Sequence, residues 1–169
     1  MSAGTVGTAR AVSRARDDEF RAFFAAEFPR LAGYCLRLLG DEQLARDTAQ
    51  EALVRVWSRW VGVRDPRAYV YLVATNLVRT EWRDRSRRAE AFQRVAEASP
   101  GAYLHDDGGV RDAVERLPDR LRVAVLLHYF ADLPVAEVAR LIRRPVGSVK
   151  QRLHEARHRL AAELGERDA

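Results

Sequence analysis

The chain has 169 residues, of which 47 % are hydrophobic and 31 % charged, with a formal net charge of +5 and a pI near 10.0. That apolar share excludes disorder throughout, and no apolar run is long enough to span a bilayer. A single cysteine, Cys35, excludes an internal disulfide or a cysteine-based zinc site.

The basic excess suggests a polyanionic partner. Lys150 is the one lysine among 29 basic residues. Arginine's planar fork suits phosphate and guanine, although a GC-rich genome also favours arginine. Residues 1–16 carry Arg10, Arg14 and Arg16 without an apolar run, so they do not read as a signal peptide. We expect a disordered arm there and a cytoplasmic, nucleoid-associated protein with no membrane insertion.

From Asp17 to Leu39, Phe20, Phe23, Phe24, Phe28, Leu31, Tyr34 and Leu38 recur at helical spacing, with a bend expected at Pro29. Cys35 reads as a small core residue of this helix. Gly40 stops the helix and Asp41 caps the next, which carries Leu44, Thr48, Ala52, Val56 and Trp57. After a loop at 61–65, Pro66 opens a third helix with Asp65 as its cap. That helix holds Tyr69, Leu72, Val73, Asn76, Leu77 and Trp82 and runs into the basic segment Arg83 to Arg88.

Ser99-Pro100-Gly101 and His105-Asp106-Asp107-Gly108-Gly109 form the one strong break in composition. We read 98–109 as a flexible linker. Helical periodicity resumes over 110–116, 118–130, 134–142 and 146–164. The fold class is therefore all-α. A first bundle over 17–97 and a second over 110–165 each have a small core that docking on a partner would help to stabilise.

Residues 134–142, a break at Arg143-Arg144-Pro145 and a longer basic helix make a helix-turn-helix. Val138, Ala139, Leu141, Val149, Leu153 and Leu160 would pack its two helices together. Residues 143–159 hold six Arg or Lys against one acid, Glu155. The outward face of the second helix carries Ser148, Lys150, Gln151, Arg152, His154, Arg157 and His158. Such a helix enters a major groove with its N-terminal residues at base edges, while flanking arginines meet phosphates. Apart from any family, it is also compatible with a solvated basic face. His154 and His158 are four apart, but no third ligand is suitably placed, so no metal is expected.

The segment Pro145-Val-Gly-Ser-Val-Lys-Gln-Arg-Leu-His-Glu-Ala-Arg-His-Arg-Leu160 resembles region 4.2 of the extracytoplasmic-function sigma factors, and Leu117 to Phe130 resembles region 4.1. Asp47-Thr-Ala-Gln-Glu-Ala-Leu-Val-Arg-Val-Trp57 resembles the region 2.2 signature. Asp65 to Asn76 looks like region 2.3, and Arg79 to Arg88 like region 2.4. Together, in this order, they cover about 18–164.

The resemblance implies that the first bundle binds the core polymerase and opens the −10 element, while the second reads the −35 element as duplex. It implies core-polymerase contacts (clamp and flap) with Asp47, Gln50 and Glu51 on the chain's side. It implies −10 contacts at Arg64, Asn76, Arg79, Thr80, Arg83 and Arg87, and −35 contacts at Arg143, Arg144, Ser148, Lys150, Gln151, Arg152, His154 and Arg157. An anti-sigma protein is a further expected partner. The Val61–Arg64 loop and Asn76 are candidates for a captured base, with Trp82 able to stack on a base or pack on the bundle. Tyr69 and Tyr71 read as core or rim.

Three positions depart from the family pattern. Arg143 stands where a turn glycine is usual, Pro134 where a Ser or Thr cap is common, and Leu72 where a basic residue is frequent. The alternative reading is a conventional helix-turn-helix regulator whose first bundle dimerises or senses. His105-Asp106-Asp107 is the one catalytic-looking cluster and falls in the linker. No catalytic residue, cofactor or enzyme activity is therefore expected.

Overall fold

The computed structural model describes residues 3–93 and 109–165. Helix α1 runs Ala3–Leu39 and continues through Pro29. It therefore includes residues 3–16, which the sequence reading takes as a disordered arm. Residues 9–16 hold three alanines and three arginines, which favour helix, and the Arg16 guanidinium lies 4.6 Å above the Trp57 ring, tying the end of this stretch to the next helix. Gly40, at φ +71, ends α1. Asp41 then caps α2 (Glu42–Trp57), its carboxylate accepting from Leu44 N at 2.8 Å.

A single 3-10 turn, Trp60–Gly62, leads to α3 (Pro66–Gln93). Asp65 caps α3 through Ala68 N at 3.0 Å. These three helices bury Leu31, Tyr34, Cys35, Leu53, Val56, Val70, Tyr71 and Val78. Burial pushes the Cys35 thiol up to about 12. Phe20 packs against Trp57 and Trp60, with ring centroids 4.7 and 5.1 Å away, and so closes the end of the bundle that carries the 60–65 loop.

The linker expected at 98–109 lies, apart from Gly109, outside the described residues. Gly109 is the N-cap of α4 (Val110–Arg116), followed by α5 (Asp119–Val125), a π turn at Leu126–Phe130, α6 (Val135–Ile142) and α7 (Val146–Gly165). The π turn interrupts the single helix expected over 118–130. Val138, Ala139, Leu141, Val149 and Leu153 are buried between α6 and α7, and Leu160 is half-buried beside them, as their spacing predicts.

The two bundles pack against each other, and their buried side chains form one continuous cluster. Phe130 rests on α1 at Gly33, where an added Cβ would stand 3.3 Å from its ring. The Arg37 guanidinium covers the same ring at 4.3 Å. Arg67 of α3 donates to the Ala131 carbonyl at 2.8 Å while its Nε faces the Glu27 carboxylate at 3.5 Å. Two cores this small gain from covering each other's apolar edges.

Candidate nucleic-acid interface

Helix α3 places one exposed basic ridge along its length. Asn76, Thr80, Arg83 and Arg87 follow at steps of three or four residues, so they share a face. Arg83 lies along that ridge, with its guanidinium donating to the Arg79 carbonyl and to Thr80 Oγ1 at 3.0 Å. Trp82 turns the other way and donates its indole N–H to the Leu38 carbonyl at 3.2 Å, so it packs on the bundle. The same geometry fixes the ridge to α1. Tyr71 is a core residue, and the Tyr69 hydroxyl accepts from Arg59 at the rim.

In the second bundle the turn before α7 keeps its expected shape without its expected glycine. Arg143 adopts the left-handed conformation at φ 53, ψ 55. Its own N–H reaches the Arg140 carbonyl at 3.3 Å, and Arg144 N reaches the Ala139 carbonyl at 3.0 Å, a Schellman pair. Pro134 supplies no side-chain cap; its carbonyl accepts from Glu137 N and Val138 N instead.

Beyond the turn, α7 leaves Lys150, Gln151, His154 and Arg157 exposed, with Ser148 and Arg152 half-buried. Arg157 also reaches the Tyr129 hydroxyl at 3.2 Å. The rings of His154 and His158 lie 4.3 Å apart. Among the described residues no cluster of three metal-ligating side chains exists.

The expected −10 residues divide between two clefts. Asn76, Arg79, Thr80, Arg83 and Arg87 line a groove of about 1100 Å³ whose other wall includes Arg120, Arg143, Arg144 and Arg152 of the second bundle. Arg64 and the 61–64 loop line a separate cleft of about 780 Å³ with Trp57, Trp60, Tyr69 and Leu72, faced by Glu137, Arg140 and Leu141 of α6. The 61–64 loop and Asn76 thus do not share a cavity. Just under three turns of helix, roughly 15 Å, separate Asn76 from the start of α3 at Pro66.

Leu72, at the usually basic position, gives this second cleft an apolar wall. Arg120 was missed in the sequence because it lies at the start of α5, away from the helix-turn-helix. A helix-start arginine one residue after Asp119 has no periodic signal to mark it.

Asp47, Gln50 and Glu51 are exposed together on α2, next to Val54, which is 53 % exposed. Gln43 donates to Asp47 at 3.0 Å and Arg55 pairs with Glu51 at 2.7 Å. The face is thus polar and pre-arranged, with one apolar contact point.

Two family models match the chain in order: Sigma-70 region 2 over residues 23–88 and Sigma-70 region 4 over residues 108–160. An RNA polymerase sigma-E factor of Streptomyces avermitilis is 32 % identical over 157 residues, 89 % of this chain and 87 % of that protein. The chain belongs to the extracytoplasmic-function sigma factors of the sigma-70 family.

It is thus an alternative sigma factor, directing RNA polymerase to initiate transcription at selected promoters. The ECF RNA polymerase sigma factor SigW of Bacillus subtilis is also similar, 27 % identical over 150 residues, 77 % of this chain and 80 % of that protein. The region 2 match displaces the reading of this sigma factor as a conventional regulator with a sensor bundle. Its fold is that of the Bartonella quintana sigma factor RpoE, seen in complex with the anti-sigma factor NepR (TM-score 0.72, 20 % identity, 87 % of this chain and 97 % of that one). It is also that of CnrH, seen with the cytosolic domain of CnrY (TM-score 0.65, 21 % identity, 89 % and 90 %). No helix among the described residues of this sigma factor is long and apolar enough to cross a membrane.

Proposed function

We propose that the two bundles divide promoter recognition. The α3 ridge at Asn76, Arg79, Thr80, Arg83 and Arg87, with Arg64 at the neighbouring loop, grips the opened −10 strand. Helix α7 and its turn read the −35 duplex through Arg143, Arg144, Ser148, Lys150, Gln151, Arg152, His154 and Arg157. The face bearing Asp47, Gln50 and Glu51 docks on the polymerase clamp, and the second bundle meets the flap. The protein itself catalyses nothing and works in the cytoplasm on the nucleoid. An anti-sigma protein is the expected regulator, by analogy with the Bartonella quintana sigma factor RpoE seen in complex with the anti-sigma factor NepR.

The observation that carries this reading is the separation of cationic surface onto two elements of different character. One is a ridge of arginines on a long rigid helix, suited to a flexible strand's backbone. The other is an exposed N-terminal half of a recognition helix, suited to base edges in a major groove.

Run-off transcription with purified core polymerase on a promoter library tests it. Arg152→Ala should weaken initiation according to −35 sequence by about 1–3 kcal/mol, the worth of one guanidinium–base contact. Arg83→Ala should leave −35 preference intact and reduce permanganate-reactive thymines at −10. Equal loss of duplex binding from both substitutions would overturn the division.

A further inference from the structure

The groove between the bundles gathers like charge from two directions. Arg79, Arg83 and Arg87 line it from α3, and Arg120, Arg144 and Arg152 line it from the opposite bundle. Among the described residues, Glu90 and Asp119 are the only carboxylates lining it. Asp119 is engaged elsewhere, 2.6 Å from an Arg122 nitrogen. Among the described residues, Arg79, Arg83, Arg144 and Arg152 have no carboxylate within ion-pair distance, whereas Arg120 has Glu155 at 3.1 Å. The Arg152 guanidinium is held below its ordinary value first by burial and then by Arg144, Arg120 and Arg79, so its charged neighbours come from both bundles.

Nothing in these arginines favours bringing the walls together. Other contacts do that: the bond from Arg67 to the Ala131 carbonyl, the seat of Phe130 on Gly33 under Arg37, and the Arg122 guanidinium 5.8 Å from the Trp82 ring. Repulsion held in place by such contacts makes a strong site for a multivalent anion, because the ligand removes repulsion as well as adding attraction. Arginine forks bind phosphate oxygens in pairs. A groove of about 1100 Å³ admits a short anion that touches both walls. A DNA duplex engages each recognition surface from outside and needs the walls apart.

We propose that this groove binds a linear chain of three or more phosphates, inorganic or as the tail of a nucleoside triphosphate, which bridges α3 to α7 and holds the sigma factor closed against promoter DNA. This rests on the reading of the two walls as promoter-contacting faces. Bound phosphate would then occupy those arginines and the closed form would keep the duplex out.

Calorimetric titration of the full chain with tripolyphosphate tests the site, and small-angle scattering tests closure. One tripolyphosphate should bind per chain and lower the radius of gyration. Arg83→Gln and Arg152→Gln should each weaken binding by about tenfold, the scale of one lost charge-assisted pair. Arg67→Met removes one contact between the bundles and no groove charge, and it should weaken binding comparably. Phe130→Ala serves the same purpose if circular dichroism finds Arg67→Met unfolded. Arg21→Gln, on an exposed arginine outside the groove, should change nothing.

A GTP arm separates the sources: binding equal to tripolyphosphate supports a nucleotide tail, and binding of tripolyphosphate alone supports an inorganic chain. Several tripolyphosphates per chain, or unchanged affinity in both Arg67→Met and Phe130→Ala, would overturn the proposal. So would a single-stranded oligonucleotide that binds more tightly than tripolyphosphate and ignores both of those substitutions. Run-off transcription without tripolyphosphate reports on promoter contact separately. It can fail while the phosphate site stands, and the phosphate site can fail while it succeeds.

Discussion

At Arg143 the backbone holds a conformation that its side chain disfavours. A left-handed arginine costs on the order of 1 kcal/mol, yet the two Schellman hydrogen bonds and the packing of Leu141 and Ile142 behind it keep the turn. The sequence shows that the glycine is missing. It does not show that the turn survives, because that depends on the balance between one strained residue and the helix packing on either side. Arg143→Gly should raise unfolding stability by up to about 1 kcal/mol, reduced by the glycine's greater freedom in the unfolded chain. The same substitution should lower affinity for −35 duplex and flatten its salt dependence by about one charge. Urea denaturation and a salt titration of duplex binding check the two signs. A loss of stability would mean that the Arg143 side chain makes a stabilising contact that outweighs its strain.

Between helices, the decisive contact of the first bundle is one buried hydrogen bond. Thr75 spends its hydroxyl proton on the Tyr71 carbonyl at 2.7 Å, so the Tyr34 hydroxyl, 2.8 Å away, must donate to Thr75. This joins α1 to α3 beneath the arginine ridge and sets which way the ridge faces. Thr75→Val should cost about 1–3 kcal/mol because it strands a buried hydroxyl. Adding Tyr34→Phe should return part of that loss, and urea melts of the four-member cycle measure it. A double variant less stable than the sum of the single changes would contradict the assignment.

Helix ends were largely legible here. Asp41, Asp65 and Gly40 each carry a cap or stop whose chemistry is local. The π turn at Leu126–Phe130 was not legible. Widening one turn by a residue leaves the run of buried Leu126 and Leu127 looking like ordinary helix.

For the molecule as a whole, each half was readable and their union was not. Apolar periodicity identifies two bundles, and motif order identifies the sigma-70 region that each carries. What joins them is carried by isolated residues such as Arg67, Arg37 and Phe130, which no period singles out. The closed form balances those contacts against charge repulsion across the groove. Raising sodium chloride from about 0.01 M to about 1 M shortens screening from roughly 30 Å to 3 Å. Repulsion should fall while the Arg67 bond to a neutral carbonyl and the Phe130 packing persist. The radius of gyration should therefore decrease with salt, and an increase would show that the net charge interaction across the groove is attractive.

The Arg67 contact also has a hereditary asymmetry. Its acceptor is a main-chain carbonyl, so no side-chain replacement at Ala131 deletes the accepting atom. Direct loss of the bond arises by changing Arg67, and a population of variants selected for a more permissive factor should accumulate changes at that donor sooner than at residue 131.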